Sequence, residues 1–201
     1  MGILISLLVF SSAIVVHEFS HAFVAYKRGD MTAARSGRLT LNPLAHIDPF
    51  GTILLPIFLI AVRSPVLFGW AKPVPIDFSA LKNPKKDIIW VGLAGPAANL
   101  LLALAATLVV KSGVVSETIP AQIAGHVILV NVILAVFNLV PIPPLDGSRI
   151  IMGLLPLPLA IRYAAIEPYG FIILFALLYL GLFNIIVWPI VGWVIHLLSL
   201  I

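Results

Sequence analysis

The sequence contains no cysteine, so disulfide bridges and metal sites built from thiolates are excluded. It is also poor in charge, since only 10% of its 201 residues are charged, whereas an ordinary soluble domain has about 25%. The net charge of +4 is small, and the basic residues stand beside apolar runs, which indicates membrane topology rather than nucleic-acid binding. The N-terminus has neither a basic leader nor a small-residue cleavage site. The first apolar run is therefore expected to be a retained helix.

The chain is rich in long apolar runs. Hydrophobic residues make up 61% of it, and several apolar runs reach about 18 residues or more, the length of a membrane span. We predict an all-α polytopic membrane protein, a helical bundle of about five to six apolar segments. The whole chain, 1–201, is expected to form one membrane-embedded domain, and no internal repeat is visible.

The apolar segments can be bounded from the sequence. They are segment A (about 3–26), segment B (50–68), segment C (88–110), segment D (about 121–140) and segment E (about 169–187), with a last apolar piece after Pro189. Segment B contains Pro56, Arg63 and Pro65, so it is predicted to be re-entrant or broken.

Two shorter features lie between these segments. Short strand-like loops are expected, as at 38–41, where polar and apolar side chains alternate. Residues 148–165 are predicted to form a short helix with a break at Pro156 and Pro158, and Pro189 is predicted to interrupt the apolar run after segment E.

Two histidines and a glutamate stand inside the first apolar segment, as His17-Glu18-Phe19-Ser20-His21. His17 and His21 share one helix face about 6 Å apart, so they can hold one Zn²⁺. Zinc lowers the pKa of water, and Glu18 can take the proton. A glutamate inside a membrane-spanning helix costs about 2.5 kcal/mol or more when no partner compensates its charge. A metal would compensate it, which favours a metal site over a chance match or histidines satisfied by backbone carbonyls.

A catalytic zinc usually has a third protein ligand. Asp146 is the strongest candidate, because it follows segment D among prolines, and irregular backbone at membrane depth can line a cavity. Taken alone, the Pro-Leu-Asp-Gly sequence is more typical of a surface turn. His46 lies in a polar loop and is expected to be solvated, while His126 and His196 are interpreted as interfacial or packing histidines.

Topology constrains this pairing, because the ends of segments A and D must lie at the same membrane side to share a metal. If all four segments A to D were full spans, A and D would run in opposite directions and their ends would be separated. If segment B dips in and returns, the two ends coincide. The basic residues then fall on one side, predicted to be the cytoplasm, while Lys111 lies opposite. They are Lys27, Arg28, Arg35, Arg38, Lys72, Lys82, Lys85, Lys86 and Arg149.

An ordered set of motifs resembles the site-2 protease family of intramembrane zinc metalloproteases. The set comprises His17-Glu18-Phe19-Ser20-His21, then Gly95-Pro96-Ala97-Ala98-Asn99-Leu100, and then Asn138, Pro141 and Pro143-Pro144-Leu145-Asp146-Gly147. The stretch Gly69-Trp70-Ala71-Lys72-Pro73-Val74-Pro75 is similar to the family's loop between its two metal-binding regions. The resemblance covers roughly residues 10–150 and most of the remaining C-terminal residues.

The resemblance implies one zinc ion bound by His17, His21 and Asp146, with Glu18 as the general base. It also implies that Asn138 positions the substrate or polarises its carbonyl, although an interhelical hydrogen bond is an equally good interpretation of Asn138. The expected activity is hydrolysis of peptide bonds within or near transmembrane segments of membrane-anchored substrates. The expected location is the cell membrane, with the site nearer the cytoplasmic side.

The same resemblance implies a minimal form of the family, with a catalytic core at about 1–150 and C-terminal helices at about 151–201. Family members with a regulatory PDZ domain carry it between the segments that match C and D, which are joined here by 111–120 alone. The expected partners are membrane-spanning protein substrates and the lipid bilayer, without nucleic acid.

Several alternatives stay open at this point. Gly92, Gly95, Ala98 and Asn99 form a small-residue helix face, for which close packing is the default interpretation and a place for Asn99 in the site is the alternative. Residues 37–41 and 70–75 can be ordinary loops, or they can pair with an unwound substrate by strand addition. A metal transporter would be expected to show repeat symmetry or several ligand sets, and a non-catalytic zinc scaffold would not need Glu18.

Overall fold

The computed structural model describes residues 3–62, 71–114, 118–181 and 183–201. These residues form α-helices joined by short 3₁₀ and π-helical turns, and no strand is assigned among them. The helices are α1 (Ile3–Lys27), α2 (Thr32–Arg35), α3 (Leu55–Ala61), α4 (Pro84–Lys111), α5 (Thr118–Asn138), α6 (Asp146–Leu154), α7 (Leu157–Ala164), α8 (Gly170–Tyr179) and α9 (Trp188–Leu200). The 3₁₀ turns are Pro43–His46, Phe78–Ala80 and Glu167–Tyr169, and the π-helical turns are Pro49–Leu54 and Phe183–Val187. The predicted all-α architecture is confirmed.

Five helical stretches in the described residues are long and apolar enough to cross a membrane. They are Ile5–Lys27, Pro84–Lys111, Ile119–Asn138, Leu157–Tyr179 and Phe183–Leu200. The stretch Pro49–Ala61, from segment B, is apolar but shorter. Arg63 and Pro65, which motivated the re-entrant prediction, lie outside the described residues, as do Gly69 and Trp70. The chain is a multi-pass membrane protein.

Helix α4 lies at the centre of the bundle. It packs against α1, α5 and α6, and α9 packs on α5. The main apolar core lies where α4, α5 and the C-terminal helices meet, and its buried members are Ala103, Val132, Val136, Val140, Leu145, Leu174, Val187 and Val191. Large apolar side chains such as Leu101 also cover the outer surface, where Leu101 is 65% exposed. Helices that are apolar all round suit lipid rather than water.

Contacts between helix ends give the directions of the helices. Arg28, directly after α1, pairs with Asp87 in the first turn of α4 at 3.0 Å, so α1 and α4 are antiparallel. Ser6 near the start of α1 lies 3.3 Å from His126 in the first half of α5, so α1 and α5 run the same way. This is the relation between segments A and D that a shared metal site requires.

The opposite end of the bundle is marked by Lys111, the last residue of α4. Its Nζ donates a hydrogen bond of 2.6 Å to the carbonyl of Ser199, near the end of α9. Helix α9 therefore runs away from the end where α1 and α5 finish.

The part of the chain after Asp146 agrees with the sequence prediction only in part. Residues 148–165 do form helix broken near Pro156, as α6 and α7. The interruption predicted at Pro189 is wrong, because Pro189 lies in the first turn of α9, where its missing N–H is not needed. The break comes earlier, at Gly181, whose φ of 93° lies in the left-handed region that glycine adopts without strain.

Candidate metal centre

The side chains of His17 and His21 meet on the face of α1 that packs against α4. Their Nε2 atoms are 3.0 Å apart, and each residue is only 6% exposed. Residues four apart on a helix lie one above the other, so the spacing in the sequence produces this proximity directly.

Asp146 completes the group from the first residue of α6. Its Oδ2 lies 3.0 Å from Nε2 of His17 and 3.2 Å from Nε2 of His21. The ligand atoms of the three residues all lie within 4.8 Å of one another. A Cβ at Gly147 would come closer than 3.0 Å to the carbonyls of Leu139 and Val140, so only glycine lets α6 begin this close to the end of α5.

The charge of the Asp146 carboxyl depends on the imidazoles around it. Burial opposes its ionisation, but His21 and His17 outweigh burial and hold the pKa of Asp146 well below its usual range. A divalent cation in the same place would favour the carboxylate in the same way. The site is therefore suited to an ionised Asp146.

Hydrogen bonds that the imidazoles donate to α4 orient both rings. Nδ1 of His17 lies 2.6 Å from Oδ1 of Asn99, and Nδ1 of His21 lies 2.6 Å from the carbonyl oxygen of Val91. Both oxygens are acceptors, so each ring donates the N–H of Nδ1 and turns Nε2 toward Asp146. Such outer hydrogen bonds fix the tautomer and orientation of a metal-binding histidine.

The amide of Asn99 is itself fixed by two further acceptors. Its Nδ2 donates to Oδ1 of Asn131 at 2.7 Å and to the carbonyl of Ala13 at 3.2 Å. Asn99 is fully buried and Asn131 is 2% exposed. Helix packing, the default interpretation of Asn99, therefore describes only part of its role. Asn131 was not singled out in the sequence, where its only signal is an amide side chain within an apolar helix.

Gly95 is the point of closest approach between α4 and the two histidines. A Cβ at this position would lie closer than 3.0 Å to ring atoms of both His17 and His21. The small-residue face of α4 therefore makes room for the imidazoles as well as for the backbone of α1.

The three side chains fit a zinc ion by their chemistry. Two imidazole nitrogens and one carboxylate oxygen are a donor set that zinc accepts, and three protein ligands leave one coordination position open, as catalytic zinc sites do. In the described part of the chain, no other group of three His, Asp or Glu side chains could hold a metal.

Glu18 lies beside this group in the sequence, but its carboxylate contacts a different element. Its Oε2 accepts a hydrogen bond of 2.9 Å from the backbone N–H of Val74. Val74 belongs to residues 71–77, which have no regular secondary structure. The carboxylate is half-buried, and its partner is a segment that lies more than 50 positions away in the sequence.

The remaining candidates lie elsewhere. The expectation that His46 is solvated is wrong: it is 2% exposed, because its Nε2 closes the loop by a 2.9 Å hydrogen bond to the carbonyl of Thr40. His126 contacts Ser6 of α1, and His196 lies in α9. Asn138 is half-buried at the end of α5, and its Nδ2 donates to the carbonyl of Leu134 in the same helix. A substrate-positioning role for Asn138 remains a prediction.

Comparison with known proteins agrees with this geometry. Residues 111–181 match the family model of Peptidase family M50. The chain is 41% identical to the Bacillus subtilis protein YwhC, named as a candidate zinc metalloprotease, over 87% of this chain and 80% of YwhC. The chain belongs to the site-2 protease family, Peptidase family M50.

Other members of the site-2 protease family are longer than this chain. Two Rip2 proteins, also named as candidate zinc metalloproteases, are similar to it. That of Mycolicibacterium smegmatis is 34% identical over 83% of this chain and 63% of its own length. That of Mycobacterium tuberculosis is 35% identical over 78% of this chain and 54% of its own length. The match thus spans less than two thirds of each Rip2 protein. No solved structure matches the chain. Membership of the site-2 protease family places the chain among the zinc metalloproteases.

Proposed function

We propose that this protein is an intramembrane zinc endopeptidase that hydrolyses peptide bonds within or near the transmembrane segments of membrane-anchored proteins. The observation that carries the proposal is the convergence of His17 and His21 from α1 with Asp146 from α6, whose ligand atoms lie within 4.8 Å of one another. His17 and His21 are buried in a bundle of helices long enough to span a membrane, where ionisable side chains are costly and usually mark a functional site.

The residues of the site are proposed to have the following roles. His17, His21 and Asp146 would hold one zinc ion. Asn99 and the Val91 carbonyl would keep the two imidazole rings in the orientation that directs Nε2 toward it. When bound, zinc supplies Lewis-acid polarisation of a carbonyl and lowers the pKa of water. Glu18 takes the proton of the attacking water and later gives it to the leaving amine.

The site is proposed to face the cytoplasm. His21 precedes Lys27, the last residue of α1, by about 9 Å along the helix, so the site lies shortly below that end of the bundle. Lys82, Lys85 and Lys86 lie at the same end, around the start of α4, whereas Lys111 lies at the opposite end. A basic excess at one end marks the cytoplasmic side of multi-pass proteins.

The substrate is proposed to be unwound when it is cut. In a helix each carbonyl is engaged by an N–H four residues on, so a scissile carbonyl must first be released. Residues 71–75 have no regular secondary structure and carry exposed positions at Lys72, Pro73 and Pro75. An unwound substrate is proposed to add as a strand beside this stretch and 37–41, at backbone groups other than the N–H groups of Lys72 and Val74, which are already bonded.

The deciding experiment is Glu18→Gln, tested against a single-span substrate expressed in the same membrane. The variant is expected to keep its zinc and to lose cleavage, because the amide cannot accept the proton. Glu167→Gln is the matched control, since Glu167 pairs with Arg149 and is not a member of the metal group. Cleavage that survives Glu18→Gln would remove Glu18 as the base.

A further inference from the structure

We propose that the backbone N–H of Val74 positions the carboxylate of Glu18, and that the buried Arg38 is the positioning residue that holds the Val74 segment in place. The inference rests on the proposed function, because it concerns the carboxylate assigned there as the general base. It adds a second layer to the site, formed by the loops that come after α1.

Val74 docks on α1 at two points. Its N–H donates to Oε2 of Glu18 at 2.9 Å, and its side chain, 8% exposed, belongs to a buried cluster with Ala22 and Ala33. Ala22 lies one turn beyond Glu18 on the same face of the helix. The packing of the Val74 side chain therefore fixes the position of the residue, and its backbone N–H points at the carboxylate of Glu18.

The sequence around Val74 makes this donor specific. Pro73 and Pro75 have no N–H, so within 73–75 the Val74 amide is the only backbone donor. A residue before proline is also biased toward extended backbone, and this applies to both Lys72 and Val74. The segment thus presents one donor from a backbone of restricted freedom, and a hydrogen bond to a carboxylate is of the stronger, charge-assisted kind.

Arg38 holds the segment from the other side. Its Nη2 donates to the carbonyl of Lys72 at 2.7 Å and to that of Pro73 at 3.4 Å. The N–H of Lys72 in turn donates to the carbonyl of His46 at 3.0 Å. Arg38 therefore contacts the peptide unit that carries the Val74 N–H, through the Pro73 carbonyl, and the unit before it, through the Lys72 carbonyl. The direction of the Val74 N–H depends on these contacts.

The placement of Arg38 is costly, which argues that it serves a purpose. It is only 8% exposed, and in the described residues no carboxylate lies within ion-pair distance of it. Its Nε is buried without a partner. A buried guanidinium without a counter-ion is unfavourable. The carbonyls of Lys72 and Pro73 stabilise its charge, and Arg38 in turn holds their segment in place.

The consequence for Glu18 is that its carboxylate is held through one of its two oxygens. Within the described residues, Val74 N–H is the hydrogen-bond donor to Glu18, and it uses Oε2. The contact with Val74 sets the orientation of the carboxylate and so the position from which Glu18 takes a proton. A base held in this way reacts from a restricted set of positions.

The contact is tested first by amide hydrogen exchange on the metal-free protein, which needs no cleavage assay. In Glu18→Ala, exchange at the Val74 amide is expected to become about tenfold faster or more, since a hydrogen bond to a charged group is lost. The Lys72 amide, bonded to His46, is the internal control and is expected to keep its rate. An unchanged Val74 rate would overturn the proposal without touching the proposed protease function.

Arg38 is tested by Arg38→Met in the zinc-loaded protein, with a single-span reporter that the wild type cleaves. We expect kcat to fall about 10- to 100-fold, with KM and zinc content unchanged and with faster exchange at Val74. Arg38→Lys, which keeps a charged donor, is expected to restore part of kcat. Arg35→Met is the matched control and should leave kcat unchanged, because Arg35 is exposed and lies three residues before Arg38.

Three results would refute the role of Arg38. These are an unchanged kcat in Arg38→Met, a rise in KM at constant kcat, or an equal loss in Arg35→Met. If Arg38→Met does not fold, the exchange measurement on Glu18→Ala still decides whether the Val74 contact exists, since Arg38 is intact there, and Arg38→Lys tests the anchor.

Discussion

His17 and Asn99 face each other across the interface of α1 and α4, with Nδ1 and Oδ1 2.6 Å apart. Asn99 in turn donates a hydrogen bond to Asn131 on α5 at 2.7 Å, so three helices contribute to one hydrogen-bonded chain that ends at a histidine of the candidate metal group. Because all three side chains are buried, removing one member leaves a polar group unsatisfied in an apolar interior. The interior of the bundle thus orients the metal group through side chains that are not themselves members of the group.

Asn131→Leu is expected to weaken zinc binding although Asn131 touches no metal ligand. Losing its Oδ1 frees the Asn99 amide to rotate, so that His17 is no longer held. Loss of such an outer partner typically costs 10- to 100-fold in metal affinity, and we expect about tenfold here. Competition with a chelator measures it, and Asn184→Leu at an exposed position is the control. Equal affinity in Asn131→Leu and the wild type would contradict this role.

Gly95→Ala is expected to abolish high-affinity zinc binding, because the new methyl group would overlap the rings of His17 and His21. Gly125→Ala is the matched control on α5, where a Cβ meets nothing within 4 Å. That variant should be neutral or stabilised by about 0.4–1 kcal/mol. Zinc content and thermal unfolding in detergent distinguish the two. A Gly95→Ala protein with full zinc would show that α4 can withdraw from the imidazoles.

Asp146→Ala is expected to lose most of the bound zinc, since two imidazoles alone make a weak site. His126→Ala, which changes a histidine outside the metal group, should retain it. Metal analysis of the purified proteins is the measurement. Zinc content that is unchanged in Asp146→Ala would leave the site without its third ligand.

Lysine labelling from outside intact cells tests the proposed orientation. Lys82, Lys85 and Lys86 are exposed at the end of the bundle that holds the site, and they are expected to stay unlabelled. Lys111, exposed at the opposite end, is expected to react. Strong labelling of the 82–86 group would reverse the orientation.

The sequence was most informative where a local spacing carries the geometry. His17 and His21 are brought together by one turn of helix, and the directions of the apolar segments indicated that the end of segment D would lie beside them. Asp146 could be paired with them for that reason, although most of the chain separates the residues. The all-α bundle could be predicted from apolar length alone.

What could not be read from the sequence depends on contacts between distant loops. Arg38 and His46 look like ordinary loop residues, and only the path of residues 71–77 explains their burial. Asn131 has no local signal that separates it from any amide in an apolar helix. The error at Pro189 came from treating every proline as a break, whereas the first turn of a helix accepts it.

The contact between Val74 and Glu18 is made by the main chain, and this decides how it can be found. An alanine scan edits side chains, and every replacement at position 74 other than proline keeps the N–H. Such a scan would score this position for its fit against Ala22 and Ala33 and overlook what it offers to the carboxylate. Backbone chemistry or exchange spectroscopy, rather than mutagenesis at Val74, is the appropriate probe of this part of the molecule.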